Sequence, residues 1–284
     1  MRRKDILFPL IALILVVFYF ATGKKNEVKT EYLIDKDINI EKIHYKSDDL
    51  DIVLKKKNKK WFLEKPEEWP VNSTLINNLV DKLKDTEVVT TIEKGEEKQY
   101  GLDKGEYIEL NGKDKNYKIV LGKKDKSYRL QYVKLDGDEK ILLVDASFTN
   151  YLPLTVNQIK DKTVYSFNDE VVLYDLKFDN ESLKVEKNGE IFVLNGKEVA
   201  KEKVDELKKL ISKLEANTFA DDNKLPDSAK KVGYLKVKTS NDEFSFDIYK
   251  DKEGDFYIPF KGQVFEIYSF NFDDILDKIK KLVE

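Results

Sequence analysis

One order of elements runs through this chain twice: a strand pair, an amphipathic helix, then antiparallel strands. From about Ile40 to Leu152 it reads Ile43-x-Tyr45-x4-Leu50-x-Ile52, then Trp61-x-Leu63, then a helical stripe of Ile76, Leu79 and Leu83. From about Val172 to Ile275 it returns as Leu176-x-Phe178-x4-Leu183-x-Val185, Ile191-x-Val193 and a stripe of Val204, Leu207 and Ile211. Leu142-x-Val144 and Leu152 likewise return as Phe265-x-Ile267 and Ile275. A repeat fixes architecture before any motif does. The expected fold class is α+β: two tandem repeats of mainly antiparallel sheet with helices packed on one face, preceded by one N-terminal transmembrane helix. The expected segments are 1–23 (membrane anchor or signal), 24–37 (linker), 38–163 (first repeat) and 164–284 (second repeat).

Local patterns place the elements. Ile38 to Leu54 alternates apolar and polar residues, as half-buried strands do. Lys55 to Lys60 reads as a polar turn, and Trp61-Phe62-Leu63 starts the returning strand, which Pro66 and Trp69-Pro70 stop. Asn72-Ser73-Thr74 supplies capping residues, so the first helix spans about Ser73 to Lys84. Its counterpart spans Ala200 to Leu214. Strands follow around Ile108, Tyr117 to Leu121, Tyr128 to Lys134 and Lys140 to Val144, with a short closing helix at Ser147 to Leu152. Asn111-Gly112 and Asp136-Gly137-Asp138 punctuate them as tight turns. The second copy has strands at Leu235 to Val237, Phe244 to Tyr249, Phe256 to Pro259 and Val264 to Ile267. A final amphipathic helix covers Asp273 to Val283.

The N-terminus is a membrane address. Arg2-Arg3-Lys4-Asp5 precedes Ile6 to Ala21, which carry no charge, and as a helix this stretch spans roughly 24 Å. Two readings compete: an uncleaved anchor over Ile6 to Gly23, or a signal peptide cut after Gly23. The aromatic Phe18-Tyr19-Phe20 end and Lys24-Lys25 make a poor cleavage region and favour the anchor. A short basic tail stays in the cytoplasm, so the expected location is the cell membrane, single-pass, with the C-terminal domain extracytoplasmic.

Composition narrows the chemistry. Lys+Arg (51) and Asp+Glu (54) nearly cancel, leaving a net charge of −3 and no field that attracts nucleic acid. The chain has no cysteine, which excludes disulfides, thiolate catalysis and thiolate metal sites. His44 is the single histidine and sits on an alternating strand. Neither a usual zinc site nor a phosphate loop is present, and no cofactor, metal or catalytic residue is nominated. Asp136-Gly137-Asp138-Glu139 lacks the ligand spacing of a calcium loop and reads as a hairpin turn. Trp61 and Trp69 read as core residues, Trp69 as a staple under the helix. The candidate partner- or ligand-binding residues are the aromatics Trp69, Tyr100 and Tyr151.

Trp61-x-Leu63-x2-Pro66, the capped helix, Tyr100-Gly101-Leu102, Leu121-Gly122 and Leu143-Val144 form an ordered set. It resembles the DUF4340 family, a domain of unknown function, over most of residues 40–165. Asp161-Lys162 falls where that family carries an Arg-Asp-Lys-type link into its second half. The second copy departs from the pattern: it has no Tyr-Gly-Leu, and Ile191-Phe192 replaces Trp61-Phe62. The resemblance implies no established reaction. It implies an association with bacterial ABC-type transport systems, including the gliding-motility type. The expected function is therefore a membrane-anchored, extracytoplasmic, non-enzymatic binding module, auxiliary to such a transporter. The alternatives are an envelope ligand- or polysaccharide-binding protein and, after it, a carboxylate-based envelope hydrolase.

Overall fold

A helix that crosses from one edge of a sheet to the other organises each half of the chain. The computed structural model describes residues 30–178 and 181–283. In the first half, β1 (Ile40–Lys46), β2 (Asp51–Lys57), β3 (Lys60–Lys65) and β4 (Trp69–Pro70) step outward as an antiparallel meander. Helix α1 (Ser73–Lys84) follows, with Ile76, Leu79, Val80 and Leu83 buried. It delivers the chain to β5 (Val88–Ile92) at the far edge. The chain then returns to the centre and steps outward again through β6 (Tyr107–Gly112), β7 (Asn116–Lys124), β8 (Leu130–Leu135) and β9 (Ile141–Asp145). The resulting order is β4-β3-β2-β1-β6-β7-β8-β9-β5.

Helix α2 (Val156–Ile159) and β10 (Thr163–Ser166) lead into the second half. There β11 (Val171–Phe178), β12 (Glu181–Asn188), β13 (Ile191–Leu194) and β14 (Lys197–Val199) precede α3 (Lys201–Ile211). After β15 (Lys213–Glu215) come β16 (Thr218–Phe219), β17 (Lys230–Thr239), β18 (Glu243–Lys250), β19 (Phe256–Phe260) and β20 (Gln263–Ile267). Their order, β14-β13-β12-β11-β17-β18-β19-β20-β16, repeats the first sheet strand for strand. The addition is a two-stranded sheet of β10 and β15. Helix α4 (Ser269–Val283) ends the chain.

The architecture is mostly antiparallel sheet, in two large sheets with few helices. In the second half, Val204, Leu207 and Ile211 of α3 and Phe272 of α4 share one core with Tyr174, Leu176, Phe178 and Leu235. Several boundaries move from their sequence reading. Helix α3 stops at Ile211 instead of Leu214, because Leu214 fits the helical stripe but pairs with Tyr165 as a strand residue. Helix α4 starts at Ser269, whose N–H donates to Asp255 Oδ1 at 2.9 Å. The polar turn narrows to Asn58-Lys59, both with positive φ, and Ser147–Tyr151 is 3-10 helix. Trp69-Pro70 forms a short edge strand, where proline's missing N–H costs no ladder bond.

By packing, the chain divides into two compact units. One holds the residues through Lys56 and Thr74–Leu152, and the other holds Lys57–Ser73 with Pro153–Glu284. The expected anchor, Ile6 to Gly23, lies outside the described residues. Among those residues, no helix is long and apolar enough to cross a membrane.

Candidate functional site

Three residues singled out as binding aromatics occupy three different settings. Tyr100 closes a 3-10 turn, and its ring lies 4.8 Å from that of Tyr132. Gly101 follows at φ 71°, a left-handed conformation that suits glycine. The Tyr100 carbonyl then fits against Gly122, where an added Cβ would come within 2.4 Å of that oxygen. Tyr100-Gly101-Leu102 and Leu121-Gly122 are thus two halves of one contact. Tyr151 sits in the Ser147–Tyr151 turn with 39% of its surface exposed.

Trp69 lies at the centre of a polar and aromatic cluster. Its Nε1–H donates to the Asp161 carbonyl at 3.0 Å, and its ring meets Phe219 edge-on at 6.0 Å. It packs against the core of the second unit, not as a staple under α1. Beside it, Lys160 buries its ammonium almost completely. Nζ donates to Glu67 Oε1 at 2.8 Å and to Gln263 Oε1 at 2.9 Å. Gln263 Nε2 donates in turn to Glu67 Oε2 at 3.1 Å. The ammonium also lies 4.8 Å from the Trp69 ring centre and 4.4 Å from that of Phe219, within cation–π range. Sequence reasoning found Trp69 but missed Lys160, Glu67, Phe219 and Gln263. The one available signal was the position of Lys160, directly before Asp161-Lys162.

His44 faces two partners. Asp51 Oδ1 lies 2.8 Å from its Nε2, and the Tyr107 hydroxyl lies 3.4 Å from its Nδ1. The order Asp–His–Tyr is that of a proton relay, but the groups are half-exposed on a sheet face open to water, which weakens such chemistry.

Among the acidic residues, Glu266 stands apart. Burial raises its pKa above the usual carboxylate value, and the charges of Asp255, Asp221 and Asp251 add to the effect. A carboxyl whose folded pKa is raised favours folding when protonated. Its contribution is therefore fully present below the unfolded value and is lost as pH rises through the raised value. Replacing Glu266 by Gln should stabilise the protein at pH 7 by about 0.5 kcal/mol, after allowance for solvent screening. The gain should vanish by about pH 3, well below the ordinary glutamate value, where both side chains are neutral. Urea midpoints at the two pH values measure this. Among the described residues, no group of three or more His, Asp or Glu is arranged to hold a metal ion.

Two further surfaces remain. A groove of about 200 Å³ in the second unit has Val171, Phe192 and Val204 on its floor and Lys201, Lys208, Glu170 and Asp205 at its rim. Glu170's pKa is lowered, first by its hydrogen bond to Lys187 and further by the charges of Lys187, Lys201 and Lys208. In the first unit, β5 is the outermost strand of its sheet and reads Val-Val-Thr-Thr-Ile, with Val89 55% exposed. Glu31 to Leu33 pair with its beginning: the Val88 N–H donates to the Glu31 carbonyl, and Tyr32 bridges Glu87.

The family model described as Domain of unknown function (DUF4340) matches residues 61–231, more than half of the chain. The matched stretch begins at Trp61 and includes Trp69, the Tyr100–Gly122 contact, Lys160 and Phe219. No curated protein and no solved structure matches the chain at a significant level.

Proposed function

The chain belongs to the DUF4340 family, and from that premise we propose that it is a membrane-anchored, extracytoplasmic binding module, auxiliary to an ABC-type transport system. In this reading Ile6 to Gly23 tether it, and the globular part acts by holding a protein partner. Tethering raises the effective concentration of a membrane partner, so a modest docking surface suffices.

The observation that carries the reading is the edge strand β5. Natural sheets blunt their edges with lysine, proline or bulges, because unpaired N–H and C=O groups recruit further strands. The interior of β5 has neither lysine nor proline; its one irregularity is a register shift against β9 at Val89, and beyond it Thr90, Thr91 and Ile92 pair regularly and their β-branched side chains suit strand addition. Substituting Val89 by Lys should leave stability within about 0.5 kcal/mol, as for an exposed position. The same change should cut partner recovery several-fold.

The test is crosslinking in intact cells, followed by mild detergent extraction and identification of what copurifies. A transporter permease or ATPase recovered with the full chain, lost on deleting Arg2 to Gly23 and reduced by Val89→Lys, supports the role. Recovery of this protein alone from well-solubilised membranes counts against it. The groove over Phe192 and Val204 favours a second reading, an envelope ligand-binding protein. Saturable chemical-shift changes at Val171, Phe192 and Val204 on titration with envelope saccharides would support that reading instead.

A further inference from the structure

We propose that Glu67, Gln263, Trp69 and Phe219 form a receptor for a primary alkylammonium ion, and that the side chain of Lys160 is its resident ligand. This is independent of the docking role proposed for β5.

A buried ion pair alone argues little, since such pairs are often replaceable by apolar residues of similar volume. What distinguishes this one is that its walls are held in place by contacts that do not involve the lysine ammonium. Trp69 is fixed by its bond to the Asp161 carbonyl. Phe219 packs on Phe265 with ring centres 5.1 Å apart. The Gln263 amide is oriented by its N–H to Glu67 Oε2, which leaves Oε1 free to accept from an ammonium. Backbone bonds hold the same segments: Asp161 N–H to the Pro70 carbonyl at 2.8 Å, and Asn72 N–H to the Ile159 carbonyl at 2.9 Å. A site organised before its ligand arrives binds without the ordering cost.

The chemistry selects the ligand class. The Glu67 carboxylate and the Gln263 amide oxygen accept N–H bonds, the carboxylate also supplying the countercharge, and two ring faces attract the positive charge. A primary ammonium satisfies both demands, whereas a quaternary one has no N–H to give. The apolar walls accommodate the methylene stem. Glu67 keeps 43% of its side chain exposed, so one wall faces solvent. An external amine gains entry there only by displacing Lys160, which would loosen residues 66–70.

The test uses the full chain carrying Lys160→Ala, with n-butylammonium chloride as the probe. Sodium chloride and tetramethylammonium chloride at equal ionic strength are the controls. The variant should be destabilised and then restored saturably by butylammonium. At ten times the dissociation constant, its folded-to-unfolded ratio should rise about tenfold. Neither control salt should reproduce this, the unsubstituted protein should not respond, and adding Glu67→Gln should abolish the rescue. Equal effects of all three salts would overturn the proposal. Should Lys160→Ala not fold, the unsubstituted protein still decides the matter by NMR. Ring currents from Trp69 and Phe219 should move the Lys160 ε-methylene protons upfield of the other lysines, and ordinary shifts there would refute the receptor.

Discussion

Trp61→Ala should be among the most damaging single substitutions in this protein, lowering stability by about 3–5 kcal/mol. The indole is 1% exposed, and its backbone N–H donates to Ser73 Oγ at 3.0 Å, at the first residue of α1. Truncation removes the largest buried side chain of β3 and leaves a cavity where the indole was. Trp61→Phe should recover most of the loss. Urea unfolding of the three proteins gives the comparison. A cost below about 1 kcal/mol for the alanine variant would mean that Trp61 is a surface platform and not core.

Gly122→Ala should cost about 3 kcal/mol for the opposite reason, overpacking. Its Cβ would lie 2.4 Å from the Tyr100 carbonyl and 2.9 Å from that of Tyr132, and backbone on both sides leaves little room to relax. Gly233 is the parallel case in the second sheet, with Lys177 O only 2.0 Å from the added atom. Gly137→Ala is the control: its virtual Cβ meets nothing within 4 Å, so the cost there reflects only its positive φ of 81°. Thermal or urea midpoints that rank Gly122 with Gly137 would show that the Tyr100 turn does not depend on that contact.

The two substitutions bear on what the family signature encodes. Trp61, Tyr100-Gly101-Leu102 and Leu121-Gly122 each have a packing role, whereas the residues that create distinctive chemistry are others: Glu67, Trp69, Lys160 and Phe219 within the matched stretch and Gln263 beyond it.

Periodicity made the fold legible where each element answers to one face. Helix α1 falls at Ser73–Lys84 as its apolar spacing predicts, since nothing downstream competes for Leu79 or Leu83. The recurrence of strands was readable for the same reason, because alternation is a local property. Leu214 shows the limit: its position on the helical stripe is real, yet pairing with β10 overrides it. The short strands β5, β14 and β16 went unread because two to five residues carry too little pattern, and their pairing partners are remote. The candidate site was less legible still. Trp69 stood out as an aromatic, but Lys160 is 93 residues from Glu67 and 103 from Gln263, and no spacing rule connects such positions. Tyr100 and Tyr151 attracted notice by residue type alone, and the structure gives Tyr100 a packing role.

The interleaving of the compact units has a consequence for biosynthesis. Residues 57–73 leave the ribosome early, but they belong to the unit completed by residues 153–284. At ordinary elongation rates the delay is on the order of 10 s. For that interval Trp69 has neither Phe219 nor Phe265 to cover it, and the nascent chain carries an unclosed apolar segment. A polypeptide released at Leu152 would never bring Phe219 and Phe265 against Trp69. Holding chaperones should therefore bind such a truncated product more persistently than they bind the full-length chain.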